Sequence, residues 1–376
     1  MQSMCHLVAS ALLLSATALS SQSVPLIDVF VGGQDGYPAY RIPALVTTKR
    51  GTLLAFAEAR ATLRDHAEND IVLKRSTDHG RTWGPMQLID EDGTNALNNP
   101  TAVVIRETGR VLLMYQHYAK GFDEHKAEPG YDGPRVCRTF LTHSDDDGAK
   151  WSEPREVTRQ VKRPTVATST ATGPGIGIQL ARGKHAGRIL MPFNEGPYGA
   201  WRVYAAFSDD GGETWRYGDS APEGTKGFAN EVQFVELSDS VMLNARNQGG
   251  DKLRKIAVSL DGGETWSATR NDPVLIEPVC QASLLRHPNN NDPSKDVFLF
   301  SNPGAQAART NGTIRLSRDE GKTWPVSRVF YPGSFAYSCL TSVPDGSVGC
   351  LFERDGMKRI SFARFTLDWI EGRAGD

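Results

Sequence analysis

Several common functional signatures are missing from this chain. It has no HExxH, no GxxxxGK[ST] and no GxGxxG opening a helix, and its histidines and cysteines form no ligand-spaced cluster. No metal, nucleotide or dinucleotide cofactor is therefore indicated. An excess of charge of one sign is also lacking: 42 Lys+Arg against 44 Asp+Glu give a net charge of −2, with both signs interspersed. That balance leaves no electrostatic footprint for nucleic acid or for an anionic membrane surface. Neither a Pro/Gly/Ser-rich linker nor a charge run divides the chain, so residues 24–376 read as one catalytic-sized domain. No obligate protein partner is implied.

Long apolar runs are scarce as well. The one that stands out, LVASALLLSATAL from Leu7 to Leu19, has the length of a signal-peptide core and is too short to cross a bilayer as a helix. Residues 1–23 are expected to be a signal peptide, which would make the mature protein secreted or periplasmic without membrane insertion. The preceding MQSMCH holds no Lys or Arg, so a buried helix is the competing reading. Cysteine is sparse too. Apart from Cys5, the chain has Cys137, Cys280, Cys339 and Cys350. Buried free thiols are the preferred expectation, with a Cys339–Cys350 bridge around the PDG turn as the alternative.

What is abundant is turn chemistry: 37 Gly and 21 Pro, as many short strands require. One phrase also recurs five times. STDHGRTW begins at Ser76, SDDDGAKW at Ser144, SDDGGETW at Ser208, SLDGGETW at Ser259 and SRDEGKTW at Ser317, all Ser-x-Asp-x-Gly-x-x-Trp. Their spacing of roughly 50 to 70 residues is that of a unit of about four strands, as in a propeller blade. Short β-rich runs precede the copies, among them IVLKR, VYAAF, IAV and TIRL. In such a turn the Asp accepts backbone N–H bonds, the Gly permits positive φ and the Trp supplies an apolar plate. The phrase is expected to hold structure together rather than to do chemistry.

Chemistry is sought between the repeats. In YRIP, Arg41 is set among apolar strand residues, where a guanidinium is costly unless it meets an anion. YRIP, the FAEAR strand, GPGIGIQL followed by RILMP, the five Asp boxes and the late FAYSCL keep one order along nearly the whole chain. In that order the chain resembles the sialidase (neuraminidase) family of bacterial and animal type.

The resemblance implies an all-β, six-bladed β-propeller with Asp-box turns. It further implies a retaining exo-α-sialidase that releases terminal α-linked sialic acid from sialylated glycans, glycoproteins or glycolipids. Three arginines of the family hold the sugar carboxylate. Arg41 and Arg246 match two of them, and Arg309 matches the third, with Arg315 and Arg318 as nearby alternatives. Tyr337 in FAYSCL stands at the nucleophile's position, sialidases being an exception to the two-carboxylate rule. Glu231 matches its base, with Glu236 as the decoy, expected on the other face of a regular strand. Asp65 in LRDHAEND matches the acid/base and is expected to have a raised pKa, with Asp70 as a structural competitor. Glu353 matches a glutamate that orients Arg41, and Arg60 borders the pocket or forms a salt bridge. His66 is read as a solvated bystander. Tyr198 and Trp201, in the FNEGPYGAWRVY segment, are either sugar contacts or packing residues. The alternatives kept beside hydrolysis are a trans-sialidase, a glycosidase of a related nonulosonic acid, and a non-catalytic glycan-binding Asp-box propeller.

Overall fold

The structure, a computed structural model, describes residues 24–289 and 295–373. The expected signal peptide at residues 1–23 lies outside them. Among the described residues no helix is long and apolar enough to cross a membrane.

The chain forms a β-propeller of successive antiparallel meanders. The first runs Ala39–Thr47, Leu53–Arg60, Asn69–Ser76 and Gln87–Asp90, and the second Ala96–Val104, Val111–Tyr118, Arg138–Ser144 and Arg155–Glu156. The third is built on Ile189–Glu195 and Arg202–Ser208, flanked by short strands that include Ile178–Gln179 of the GPGIGIQL run, while Gly175–Ile176 of the same run pairs with Ala96–Val104 of the second. A fourth comprises Phe228–Glu236, Val241–Gln248, Leu253–Ser259 and Arg270–Ile276. Beyond it, the 17-residue strand Val326–Ser342 ends one meander and starts the next. The last meander is completed from the other end of the chain, where Leu26–Val31 pairs with Arg359–Phe365. Asp28 pins this closure by bonding Arg354, Arg359 and Ser361.

Because sheets pack face to face around the axis, middle strands are buried on both sides. LLAFAEAR, Leu53–Arg60, shows no exposed position at all, as a doubly covered strand should. The Asp boxes carry this packing, and their expected role is what the structure displays. In each copy the Ser hydroxyl donates to the Asp, the Gly N–H donates to the Ser hydroxyl, and the Asp accepts a turn N–H; Ser208, Asp210 and Gly212 are one instance.

Each box also seats on the preceding meander. Trp151 stacks edge-on against Phe56 at 5.6 Å, Trp215 packs with Leu112 and Met114, and Trp83 of the first meander reaches Phe362 of the last at 5.5 Å. The glycines lie against the same neighbours, so a Cβ on Gly212 would stand 2.5 Å from Leu112 Cδ1 at a φ of +92°.

The four cysteines past the first strand are free and buried, as preferred from the sequence. Cys339 pairs with Leu351 and Cys350 with Leu340 across adjacent strands. The two thiols therefore face opposite sides of one sheet and belong to different cores.

These contacts predict that Gly212→Ala loses about 2 to 4 kcal/mol, from overpacking plus backbone strain. Gly183→Ala, with φ +68° but nothing within 4 Å, should lose only the backbone part, about 1 kcal/mol. Urea midpoints of the two variants check the difference.

Candidate active site

The innermost strands begin at one end of the propeller axis, and the strands antiparallel to them end there. Arg41, Asn98, Ala171, Glu231 and Tyr337 come from the first set; Arg60, Gln116, Arg246 and Glu353 come from the second. Antiparallel pairing thus gathers residues far apart in sequence into one ring.

Four of the innermost strands lose register at this end, between Arg41 and Ala44, Asn98 and Thr101, Asn230 and Val232, and Phe335 and Ser338. Three of the breaks contain a non-glycine residue at positive φ: Ile42 at 58°, Asn99 at 55° and Glu231 at 38°. Such bulges turn side chains toward the axis instead of into a sheet face. A β-branched residue at φ 58° is costly and persists only where its surroundings fix it.

Tyr337 is at the centre. Its hydroxyl donates a short hydrogen bond to Glu231 Oε1 and accepts one from Arg246 Nη1 at 3.3 Å. The guanidinium carbons of Arg41 and Arg309 lie 5.1 and 5.6 Å from its ring centroid. Burial and the Glu231 carboxylate push the phenol well above its usual pKa, against the pull of the three arginines. A phenol in that state gives up its proton only to a base in contact with it, and the carboxylate in contact here is that of Glu231.

The arginines are held differently. Arg41 pairs with both oxygens of Glu353 at 3.0 and 3.2 Å and reaches Asp65 at 3.1 Å. Arg246 pairs with Glu231 at 2.8 Å and with Asn230 at 2.7 Å. Arg309 donates to the Val279 carbonyl at 2.9 Å and, among the described residues, has no carboxylate within ion-pair distance. The alternatives lie elsewhere: Arg315 bonds Asn302, and Arg318 pairs with Glu371 at the surface.

Asp65 stands at the mouth with 68% of its side chain exposed, 3.1 Å from Arg41 and 3.0 Å from Arg60. Here the expectation of a raised pKa is corrected. Burial does push the carboxyl up, but Arg60 and Arg41 outweigh it and leave Asp65 below the usual carboxylate range. Asp70 is on the Asn69–Ser76 strand and accepts from Tyr37 at 2.6 Å, away from this ring. Arg60 is buried, borders the pocket and is also salt-bridged, through Glu58 and Asp65.

Glu236 is indeed apart from Glu231, but alternation is not the reason. The bulge at Glu231 breaks the alternation, and Glu236 sits at the strand's far end, accepting from the N–H groups of Ala181 and Arg182. His66 is corrected too: it lines the pocket, mostly buried, with its ring 4.5 Å from that of Tyr118. Trp201 is buried packing, whereas Tyr198 is half exposed and stacks on His125 at 3.6 Å.

Sequence reading missed Glu58, Asn98, Gln116 and Glu124. Glu58 is fully buried, binds Arg60 and accepts the N–H of Asn99 at 2.6 Å, and thereby fixes Arg60 against Asp65. It lies inside the quoted FAEAR run, and a buried carboxylate two residues from a buried Arg was the available signal. No group of three or more His, Cys, Asp or Glu placed to hold a metal ion occurs among the described residues. The arrangement offers paired donors for one carboxylate, a phenol with its base beside it, and a second carboxyl at the opening.

Comparison with known proteins agrees with this geometry. The model of a BNR repeat-like domain matches residues 51–350. A sialidase of Micromonospora viridifaciens is 39% identical over 92% of this chain and 54% of its own length. A sialidase of Bacteroides fragilis is 34% identical over 85% of this chain and 61% of its own length. The chain therefore spans little more than half the length of these relatives. Among solved structures, a Hadza microbial sialidase superposes with a TM-score of 0.81 at 33% identity, covering 90% of this chain and 68% of that one. By sequence and by fold, the chain belongs to the sialidase family.

Proposed function

We propose that the protein is a retaining exo-α-sialidase acting on terminal sialic acids of glycoconjugates. The observation that carries this reading is a buried phenol bonded to Glu231 beside three guanidiniums, one of which, Arg309, has no carboxylate partner among the described residues. A guanidinium with no carboxylate of its own beside two others is a seat for a carboxylate. In a sialoside that carboxylate sits on the anomeric carbon itself, so seating it brings the reacting atom to Tyr337.

In the proposed reaction Tyr337 Oη attacks the anomeric carbon while its proton passes to Glu231. Asp65 protonates the departing glycosidic oxygen, leaving a glycosyl–tyrosine. Asp65 then takes a proton from water, the water oxygen attacks the same carbon as its bond to Tyr337 Oη breaks, and Glu231 returns the proton to Tyr337. A tyrosine suits this carbon better than a carboxylate does, because an Asp or Glu would be repelled by the substrate's own anion. The depressed pKa of free Asp65 fits the scheme: substrate neutralises Arg41 and strips water from the exposed carboxyl, and both changes raise the pKa toward an acid's range. Residues 1–23 belong to the proposal as an export signal that places the enzyme in the periplasm or outside the cell.

Purified residues 24–376 should release fluorophore from an aryl α-sialoside. Tyr337→Phe should abolish turnover while binding of a carboxylate-bearing analogue stays within a few-fold of the parent; full activity in the variant would refute the assignment. The pH dependence has a definite sign. Protonated Asp65 is the active acid, so kcat/KM should fall as pH rises through its free-enzyme pKa. Removing one depressing cation, in Arg60→Gln, should shift that falling limb to higher pH. A limb that stays put or moves down would contradict the role of Asp65.

A further inference from the structure

Arg41 takes its pose from a buried carboxylate, Glu353. Arg246 is paired with Glu231, the group beside the phenol, and Arg309 rests on the backbone carbonyl of Val279. What fixes that carbonyl lies further from the pocket. Val279 has a φ of 60°, a costly conformation for a β-branched residue that persists only where its surroundings hold it. It belongs to EPVCQ, residues 277–281, the segment that joins the fourth meander to the strand Ser283–His287.

Arg254 and Glu277, both 0% exposed and so out of reach of any substrate, secure this segment. The Arg254 guanidinium donates to Glu277 Oε2 at 2.7 Å and to the Cys280 carbonyl at 2.8 Å, so one rigid fork grips the chain on both sides of Val279. The same pair grips the strand of Arg246. Arg254 donates through Nε to Asn244 Oδ1 at 2.7 Å and through Nη2 to the Asn244 carbonyl at 3.3 Å, while Glu277 Oε1 accepts the N–H of Asn247 at 2.6 Å. Asn244 and Asn247 flank Arg246 in Val241–Gln248. Net stability does not account for such a pair, because desolvation offsets its attraction. Three guanidiniums gathered around one phenol repel one another, and a rigid frame is what keeps them converged before an anion arrives.

We infer that Arg254 and Glu277 are positioning residues that fix the spacing of Arg246 and Arg309, and with it the seat of the substrate carboxylate. The inference rests on the sialidase reading and deepens it: Glu353 sets one arginine of the seat, and the Arg254–Glu277 pair sets the other two.

The test measures binding of 2,3-didehydro-sialic acid and of its neutral C1 carboxamide, beside kcat and KM for an aryl α-sialoside. The parent should bind the acid about tenfold or more above the amide. In Glu277→Gln the acid should lose about tenfold or more and the amide little, since misplacement by about 1 Å costs on that scale. KM should rise by a similar factor, with kcat within about threefold of the parent. A pair that only held the fold together would lower the active fraction, and so kcat, with KM and the acid-to-amide ratio unchanged; that result overturns the inference and leaves the sialidase reading standing. Arg254→Met combined with Glu277→Met leaves no unpaired buried charge, so it should fold yet keep the lowered ratio, and a parental ratio in it would also overturn the inference. Lys255→Met removes an ion pair with Glu223 on the other face of the same strand and should leave the ratio at the parental value. A fall there too would assign the effect to the fold at large and overturn the pair's role. An acid bound no better than the amide by the parent contradicts the sialidase reading itself, and the inference falls with it.

Discussion

The Glu353 carboxylate is the interaction on which the rest of the site depends. One oxygen takes Arg41 Nε and the Ile42 N–H, and the other takes Arg41 Nη2 and the Tyr337 N–H. It therefore ties the first innermost strand, at Arg41 and Ile42, to the last, at Tyr337, from a position 312 residues beyond Arg41, and sets the first arginine and Tyr337 with one group. A buried ion pair contributes little net stability, since desolvation offsets the attraction. Its value here is positional: the guanidinium is held in one pose before any substrate arrives. The strained φ of Ile42 is held by the same carboxylate.

Antiparallel geometry also explains why repeats and chemistry never meet. Each Asp box follows a third strand, and third strands start at the site end and finish at the other; Asn69, which starts one, bonds the Asp65 carbonyl, and Ser76, which ends it, opens the first box. The boxes staple one face, where every meander repeats the same turn. At the opposite face the meanders differ, and four bulged strands aim unlike residues at one axis. Uniformity at one end leaves the other end free to specialise.

The sequence was informative where a role is written in local residue types. The Ser-x-Asp-x-Gly-x-x-Trp turns, Arg41 in YRIP and Tyr337 in FAYSCL all sit where their motifs placed them. Arg309 was separated from Arg315 and Arg318 only by the fold, because three arginines on one short stretch differ in direction and not in type. Asp65 was assigned the wrong electrostatic sign for the same reason: Arg41 approaches it from another strand, and only folding brings a second cation to it. Asn98 and Gln116 gave no local sign at all, since their pairing exists only across two strands. Bulges are likewise invisible to an alternation argument: the register break at Glu231, and not strand parity, separates it from Glu236.

The account's central claim is that Tyr337 bonds the anomeric carbon of a sugar whose carboxylate lies on Arg41, Arg246 and Arg309. The most direct measurement is peptide mass spectrometry after incubation with a 2,3-difluorinated sialic acid, whose fluorines slow breakdown of a covalent intermediate. The account predicts one sugar adduct, on the peptide containing Tyr337. An adduct on Asp65 or Glu231, or none from a protein that turns over sialosides, would contradict it.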